Sequence, residues 1–568
     1  MMKWLNRPLY GALTLVLVWT VCRLVFLWNT GIPQPRVHDE FSYLLQADIF
    51  AHGHLAIPQH PLGRFFESPH ILVRPKYASK YPPGQALFLA VGQWLLGSPF
   101  YGVLIGNALM LFTFCLMLYA FVSPRWALAV SAIFALVLSP SMYWTDSYFG
   151  GSIAASGGAL VLLGIGLYRE KQAAMAGAIF ATGTLLLFWT RPYEGGVFTL
   201  VLLVVFAREL WRTLRRSVLL IALSVLAIGG AWTGYYNQAI TGSPFRLPYL
   251  LHDHQYNATP VFWFIPMRPE PTYSHSRLAA QHGTNGWEAS VYRGNKPQWR
   301  SLGADLIASL QAVRYSIENE AVLTLLNPDA RNNPLSRKMA AVSGVFLAAL
   351  AAALFVLTIP VASTDPIFRK MAIVAGVFLL ALSLESFHNL HYTAPVWAAL
   401  ALMNAVWAQR VWNLRIRKLP VGGVLVLLVL MLQILIFPYQ ALQIFPVTST
   451  KAAGDSTGPP AQDNWNDRRA ALIQRLSRLD SPEVVLVRYP SPDWNIGEEW
   501  VYNGADIDHQ RVVFAHDLGV EQNRALLNYY PDRTALLMTF DAATAQEKIG
   551  PYPAAHAQPR PSAFRFRS

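Results

Sequence analysis

The stretch Val37-His38-Asp39-Glu40-Phe41-Ser42-Tyr43 begins about ten residues after the apolar run Leu9 to Leu27. That run is long enough to cross a hydrocarbon core of ~30 Å. On a soluble surface, two adjacent carboxylates are a solvated patch. At the mouth of a membrane helix they are costly to keep, and costly ionisable residues near a bilayer mark functional sites.

The surrounding composition decides between the two readings. The chain is 54% hydrophobic and 14% charged over 568 residues, whereas soluble domains carry about 25% charged residues. The deficit is concentrated in repeated apolar runs of roughly 18 to 24 residues. The expected fold class is therefore a polytopic α-helical membrane protein. The first run lacks an Ala-x-Ala cleavage site and is longer than a signal-peptide core, so it is expected to stay as a helix.

A net charge of +13 raises the question of nucleic acid, and its placement answers it. Arg208, Arg212, Arg215 and Arg216 fill one gap between apolar runs, and Arg410, Arg415, Arg417 and Lys418 fill another. This is the positive-inside pattern of a membrane protein, so no nucleic-acid partner is expected. Cys22 and Cys115 both lie within apolar runs, which excludes a disulfide framework. No Walker loop, cysteine metal spacing or strand-borne GxGxxG is present. His52, His54, His60 and His70 fit no single helix face, so no metal set is read from spacing.

Lys3 and Arg7 precede the first span and place the N-terminus in the cytoplasm, with Asp39 and Glu40 outside. Gln85 to Leu96 is too short to span, and counting it as a span would turn Arg125 and Arg169 outward. It is therefore expected to lie in the interface or re-enter on the outer side. The remaining spans are Tyr101–Phe121, Trp126–Tyr143, Gly151–Leu167, Ala173–Trp189, Gly195–Phe206, Ser217–Tyr235, Ala340–Pro360, Met371–Leu384, Tyr392–Ala408 and Val421–Phe437. About eleven spans result, occupying 1–440, with outer loops at 29–98 and 237–338.

The tail, 447–568, changes character. Glu483 to Tyr489, Arg511 to Phe514 and Thr534 to Thr539 are short β-branched runs, and helical patterns lie at Asp467–Leu479 and Asn523–Tyr529. Alternating helix and strand predicts a small soluble α/β domain on the outer side.

This topology gathers ionisable residues at one face: Asp39, Glu40, Lys80, Tyr81, Asp146, Arg191, Glu194, Glu385, His388, His391 and Tyr392. A carboxylate there can act as general base for a hydroxyl. Arginine and lysine can hold a phosphate. Such a set suits sugar transfer from a polyprenyl-phosphate carrier, since no nucleotide donor is expected outside the cytoplasm. Each residue also has a plainer reading. Asp146 caps the helix from Gly151, Arg191 and Glu194 form a structural ion pair, Lys80 snorkels to the interface, and His388 and His391 are satisfied structural histidines.

The ordered set resembles the GT-C superfamily of integral membrane glycosyltransferases, including the protein O-mannosyltransferases and the lipid A aminoarabinose transferases. The resembling motifs are Asp39-Glu40 at the first outer loop, Tyr81-Pro82-Pro83 before a short helix, Thr145-Asp146, Arg191 to Gly195, and His391-Tyr392-Thr393-Ala394-Pro395. More closely, the chain resembles a group of bacterial GT-C-like proteins that share the His-Asp-Glu-Phe-Ser-Tyr opening and a tail like Glu499 to Asp508. The better-known families do not share that tail, so the acceptor (lipid, glycan or protein) does not carry over.

The resemblance implies that Asp39 is the base and that Glu40 supports it. It implies Lys80, Tyr81, Asp146, Arg191, Glu194, His388, His391 and Tyr392 for donor and phosphate binding. No cofactor is required; a divalent cation, magnesium or manganese, serves some relatives and not others. The implied setting is the bacterial inner membrane. The alternatives are a transporter or flippase of lipid-linked sugars and a non-catalytic membrane subunit.

Overall fold

A computed structural model describes residues 7–137, 144–170, 173–213, 215–294, 353–387, 389–431, 465–541 and 546–553. In chain order its helices begin with α1 (Pro8–Thr30), α2 (His38–Ala51), α3 (Gly84–Leu96), α4 (Phe100–Tyr119), α5 (Pro124–Val137) and α6 (Gly151–Arg169). They continue with α7 (Ala173–Phe188), α8 (Pro192–Thr213), α9 (Arg216–Thr241), α10 (Pro248–Tyr256), α11 (Ser276–His282) and α12 (Trp287–Gly294). The later ones are α13 (Ala353–Ala362), α14 (Pro366–Leu382), α15 (Trp397–Val411), α16 (Val421–Met431), α17 (Trp465–Leu476) and α18 (Val520–Tyr529).

Among the described residues, four helices are long and apolar enough to cross a membrane: α1, α4, α6 and α9. Shorter apolar helices, including α3, α5, α7, α13 and α16, accompany them. The expected span 340–360 begins outside the described residues. Several expected spans have different limits, among them those from Ser217 and Met371, which are observed as Arg216–Thr241 and Pro366–Leu382. The one from Gly195 runs from Pro192 to Thr213, and the one from Tyr392 begins at Trp397. A tight turn, Leu390–Val396, precedes that helix because Pro395 interrupts regular α-helical bonding.

α6 is the centre of the bundle. Its Gly, Ala and Ser residues let neighbouring backbones approach closely, as small residues do in membrane interfaces. An added Cβ on Gly183 of α7 would lie 2.8 Å from the Gly157 carbonyl of α6. One on Gly158 would lie 2.4 Å from the carbonyl of Pro395. The second contact holds the Leu390–Val396 turn, and with it Tyr392, against the bundle.

α3 is 13 residues long, about 20 Å and short of a hydrocarbon core. It reverses at Gly97, whose φ of 75° is left-handed, and packs back along α4. A Cβ on Gly92 would lie 2.1 Å from the Gly102 nitrogen.

The segment after α2 forms a small antiparallel sheet in the order β1 (Ile57–Pro58), β3 (Lys76–Ser79), β2 (Ile71–Leu72). The C-terminal residues form a four-stranded sheet of β4 (Glu483–Val487), β5 (Val512–His516), β6 (Thr534–Phe540) and β7 (Glu547–Pro551). Its order is β5-β4-β6-β7, parallel except for β7. The β-branched runs of β4 and β5 are buried throughout, as strands covered on both faces must be. The sheet's apolar core is continuous with α2 and the loop after it: Phe41, Leu45, Ile49, Phe65, Phe66 and Tyr77 pack into one cluster with Val485, Trp500 and Phe514.

Candidate active site

The first turn of α2 separates its two acids. Glu40 turns back: its carboxylate accepts from the backbone N–H of Arg36 (2.6 Å) and Val37 (3.2 Å), closing the helix end as an N3 glutamate does. Its other oxygen accepts from the Tyr148 N–H at 2.9 Å. Burial pushes the Glu40 carboxyl up to about 6. Glu40 is therefore a fixture of the backbone, tying α2 to the Trp144–Phe149 turn.

Asp39 is the acid left facing the cleft, with 29% of its side chain exposed. The Tyr81 hydroxyl donates to its carboxylate. His70 Nδ1 lies 2.8 Å from that hydroxyl and 3.6 Å from Asp39 Oδ1. Tyr43 stacks on Tyr81, with ring centroids 4.4 Å apart.

Lys80 precedes Tyr81 and is buried. Its ammonium lies 5.1 Å from the Tyr81 ring centroid and 5.3 Å from that of Tyr249. Burial lowers its pKa, while Glu288, Asp39 and Asp253 pull it back up. Arg191 follows the last turn of α7. Its guanidinium lies over the Tyr392 ring at 4.2 Å and 3.6 Å from Glu194. The stacked tyrosines link this pair to Asp39: Tyr43 feels the charges of Arg191, Asp39 and Glu194.

Two other predicted residues point elsewhere. Asp146 pairs with Arg23, which is fully buried in α1 and also donates to the Thr145 carbonyl at 2.9 Å. His391 stacks on Phe149 at 4.7 Å, edge-on to Tyr392. His388 lies outside the described residues. The structure thus brings together Asp39, Lys80, Tyr81, Arg191, Glu194 and Tyr392, and uses Glu40 and Asp146 as braces around them.

A second cluster was not legible in the sequence. His70, His282 and Glu288 are buried with their donor atoms all within 4.8 Å of one another. His282 Nδ1 is 3.0 Å from Glu288 Oε1, and His70 Nε2 is 3.9 Å from the same oxygen. The His252 ring lies 5.5 Å from His282 and 6.2 Å from His70. His70 Nε2 and both His252 nitrogens are buried without a hydrogen-bond partner among the described residues. Burial, then Lys80, pushes His70 and His252 well below the usual imidazole range. Burial acts to raise Glu288, but His282 and Lys80 overcome it and the net shift is downward. Two imidazoles beside a carboxylate form a donor set that suits a divalent cation. Spacing along the sequence names none of these ligands, because His70 lies in the segment after α2 and His282 and Glu288 lie on α11 and α12, about two hundred residues further on.

No protein-family model matches the sequence, and no curated protein matches it. Among solved structures, the chain is similar to ArnT from Cupriavidus metallidurans in the apo state. The identity is 13% and the TM-score 0.48, over 97% of this chain and 100% of that one. It is similar to the same protein bound to undecaprenyl phosphate at 14% identity and TM-score 0.46, over 93% of each chain. It is also similar to the Archaeoglobus fulgidus oligosaccharyltransferase in complex with zinc and sulfate. That match has 12% identity and TM-score 0.47, and covers 93% of this chain and 67% of that one. The chemistry has to come from the residues of this site.

Proposed function

We propose that this chain is a membrane glycosyltransferase that moves a sugar from a polyprenyl-phosphate donor to a hydroxyl acceptor at the outer face of a bacterial inner membrane. The observation that carries the reading is the Asp39–Tyr81–His70 chain of contacts with Lys80 and Arg191 on the same side. A partly exposed carboxylate held by a phenol, with two cations near it, suits base-assisted displacement of a phosphate.

In this reading Asp39 takes the proton of the acceptor hydroxyl. The acceptor oxygen attacks the anomeric carbon, and the bond from that carbon to the phosphate oxygen breaks. Polyprenyl phosphate leaves with the electron pair, and Lys80 and Arg191 offset its charge. Tyr81 and His70 hold the Asp39 carboxylate in one orientation. Glu194 and Tyr392 hold Arg191. His70, His282 and Glu288 would hold a magnesium, manganese or zinc ion, which would add positive charge on the donor side.

About eleven spans, a cytoplasmic N-terminus and an outer C-terminal α/β domain complete the proposal. A transporter or flippase has less support: the buried charge of α1, Arg23, is closed off by Asp146, whereas transporters open such groups to substrate at the bilayer midplane. A non-catalytic subunit leaves the exposed Asp39 without a role.

Lipid and glycan analysis of a deletion strain tests the reading. Complementation with the wild-type chain should restore a glycosylated product, and Asp39→Asn at equal protein level should not. Restoration by Asp39→Asn removes the proposed base.

A further inference from the structure

Open parallel sheets take ligands at the carboxyl ends of their strands, where the strand order reverses. In the C-terminal sheet the order reverses around β4. That end is filled by this chain itself. The Arg277 guanidinium lies 3.7 Å from the centroid of Tyr489, the second residue beyond β4. Its Nε donates to Glu499 at 2.9 Å, and its other nitrogens donate to the carbonyls of Trp494 (2.6 Å), Asn495 (3.2 Å) and Glu498 (2.6 Å). His516, the last residue of β5, lies with Nε2 2.9 Å from the Glu67 carbonyl and its ring 4.0 Å from His275. The crevice that such a fold offers to a ligand is thus occupied by the outer loops of the membrane part.

The same short strip grips a second helix. The Tyr502 hydroxyl and the Ile496 carbonyl lie 2.9 and 2.8 Å from the two ring nitrogens of His38. Tyr502 stacks on Phe41 at 4.3 Å. The Ala505 N–H donates to Asp48 at 2.7 Å, and a Cβ on the neighbouring Gly504 would come within 2.8 Å of that carboxylate. Residues 494–505 therefore hold both ends of α2 and the start of α11.

What those helices carry gives the grip its meaning. His38 is bonded in sequence to Asp39. Arg277 is the second residue of α11, and His282, which faces Glu288, is the last. We propose that Glu499 and Tyr502 are positioning residues for the site: through Arg277 and His38 they set the helices that present His282 and Asp39. The C-terminal unit is on this view a scaffold for the reaction chamber rather than a separate ligand-binding module. The inference rests on the reading of Asp39 as the reactive acid.

The test uses the full chain in lipid nanodiscs with Tyr502→Phe, which removes one hydroxyl, and Glu499→Gln, which keeps the shape. Hydrogen exchange should rise about tenfold in residues 38–51 for Tyr502→Phe and in residues 276–282 for Glu499→Gln, with α4 and α6 unchanged. With an undecaprenyl-phosphate sugar as donor, kcat should fall about tenfold, well below the melting temperature, while donor KM stays within about twofold. Unchanged exchange in both helices overturns the proposal. So does a uniform rise across the whole chain, which marks an ordinary packing contact. If Glu499→Gln fails to fold, Tyr502→Phe decides alone. A wild-type protein that transfers no sugar, yet shows the local exchange changes, overturns the transferase reading and leaves the grip standing.

Discussion

The backbone N–H of Gly84 donates to the carbonyl of Trp189 at 2.7 Å, joining the start of α3 to the turn before α8. This contact sets Lys80 and Tyr81, on one side, beside Arg191 on the other. It requires glycine, because a Cβ at position 84 would lie 2.6 Å from the Trp189 oxygen and 2.7 Å from the Thr190 methyl. Gly84→Ala should cost about 1–3 kcal/mol of stability, the usual range for overpacking. It should lower activity further by moving the two cations apart. Thermal unfolding and transfer assays on the same preparation check both effects; an alanine variant with full activity would show that the spacing is unimportant.

Asp39 and Tyr81 should behave differently on substitution. Asp39→Asn removes the proposed base and should lower transfer about 10²–10⁴-fold. Tyr81→Phe removes one hydrogen bond to the carboxylate and should leave a base that is present but less well oriented, with a loss of about tenfold. Both proteins should fold normally, since Asp39 is partly exposed and the Tyr81 ring keeps its stack on Tyr43. Equal losses in the two variants would assign the proton transfer to Tyr81 or to neither.

Arg23 and Asp146 predict stability rather than rate. Arg23 is fully buried within α1 and neutralised by Asp146 across 123 residues of sequence. Removing one partner leaves a charge in low dielectric and should cost about 3 kcal/mol or more. Replacing both by apolar residues of similar volume, Arg23→Met with Asp146→Leu, should recover most of that loss. Thermal unfolding in detergent of the two single variants and the double variant measures the coupling. Additive losses in the double variant would show that the two charges do not depend on each other.

The residues that were legible in the sequence are those whose neighbours along the chain explain them. Asp39 stands at the mouth of an apolar run, and Tyr81-Pro82-Pro83 opens a short helix. The strands at 483–487, 512–516 and 534–540 are β-branched runs bounded by breakers. The sequence signal for Glu40 is its place at the third position of a helix, where a glutamate commonly turns back to its own backbone. The partners of Asp146 and of the His70 cluster were not legible, because long-range pairs leave no periodicity. Arg23 is one cation in an apolar run, and His252, His282 and Glu288 lie on three separate short helices, α10, α11 and α12. The shared core of α2 and the C-terminal sheet was hidden for the same reason: each strand pattern is complete in itself and does not say what covers it.

The His70–His282–Glu288 group predicts metal binding that can be measured without a turnover assay. Protein dialysed against chelator and then against zinc or manganese should retain about one ion per chain by elemental analysis. His282→Ala should lower that affinity about 10–100-fold or more, since the site loses one of three ligands. Protein stability should rise with the ion, because an ion that binds only the folded chain stabilises it by mass action. Lys80 competes for Glu288, so Lys80→Met should bind the ion more tightly than the wild type. Retention of no ion by either protein would reduce the cluster to a set of buried histidines.

His38 predicts a pH dependence with a definite sign. Burial, opposed by Glu499 and Asp39, pushes its imidazole down from 6.5 to about 4. The folded chain therefore resists protonation that the unfolded chain accepts. Stability from this group is fully present above pH 6.5 and is lost as pH falls from 6.5 toward 4, amounting to about 3 kcal/mol. Other buried histidines shift in the same direction, so the wild-type curve alone does not isolate it. The difference between wild type and His38→Gln does: glutamine has no titration in that window and can still donate toward the Ile496 carbonyl. The wild-type advantage in melting temperature should shrink steadily between pH 6.5 and 4.5. A constant difference across that range would mean that the His38–Tyr502 contact survives protonation, and α2 would then not be released by acid.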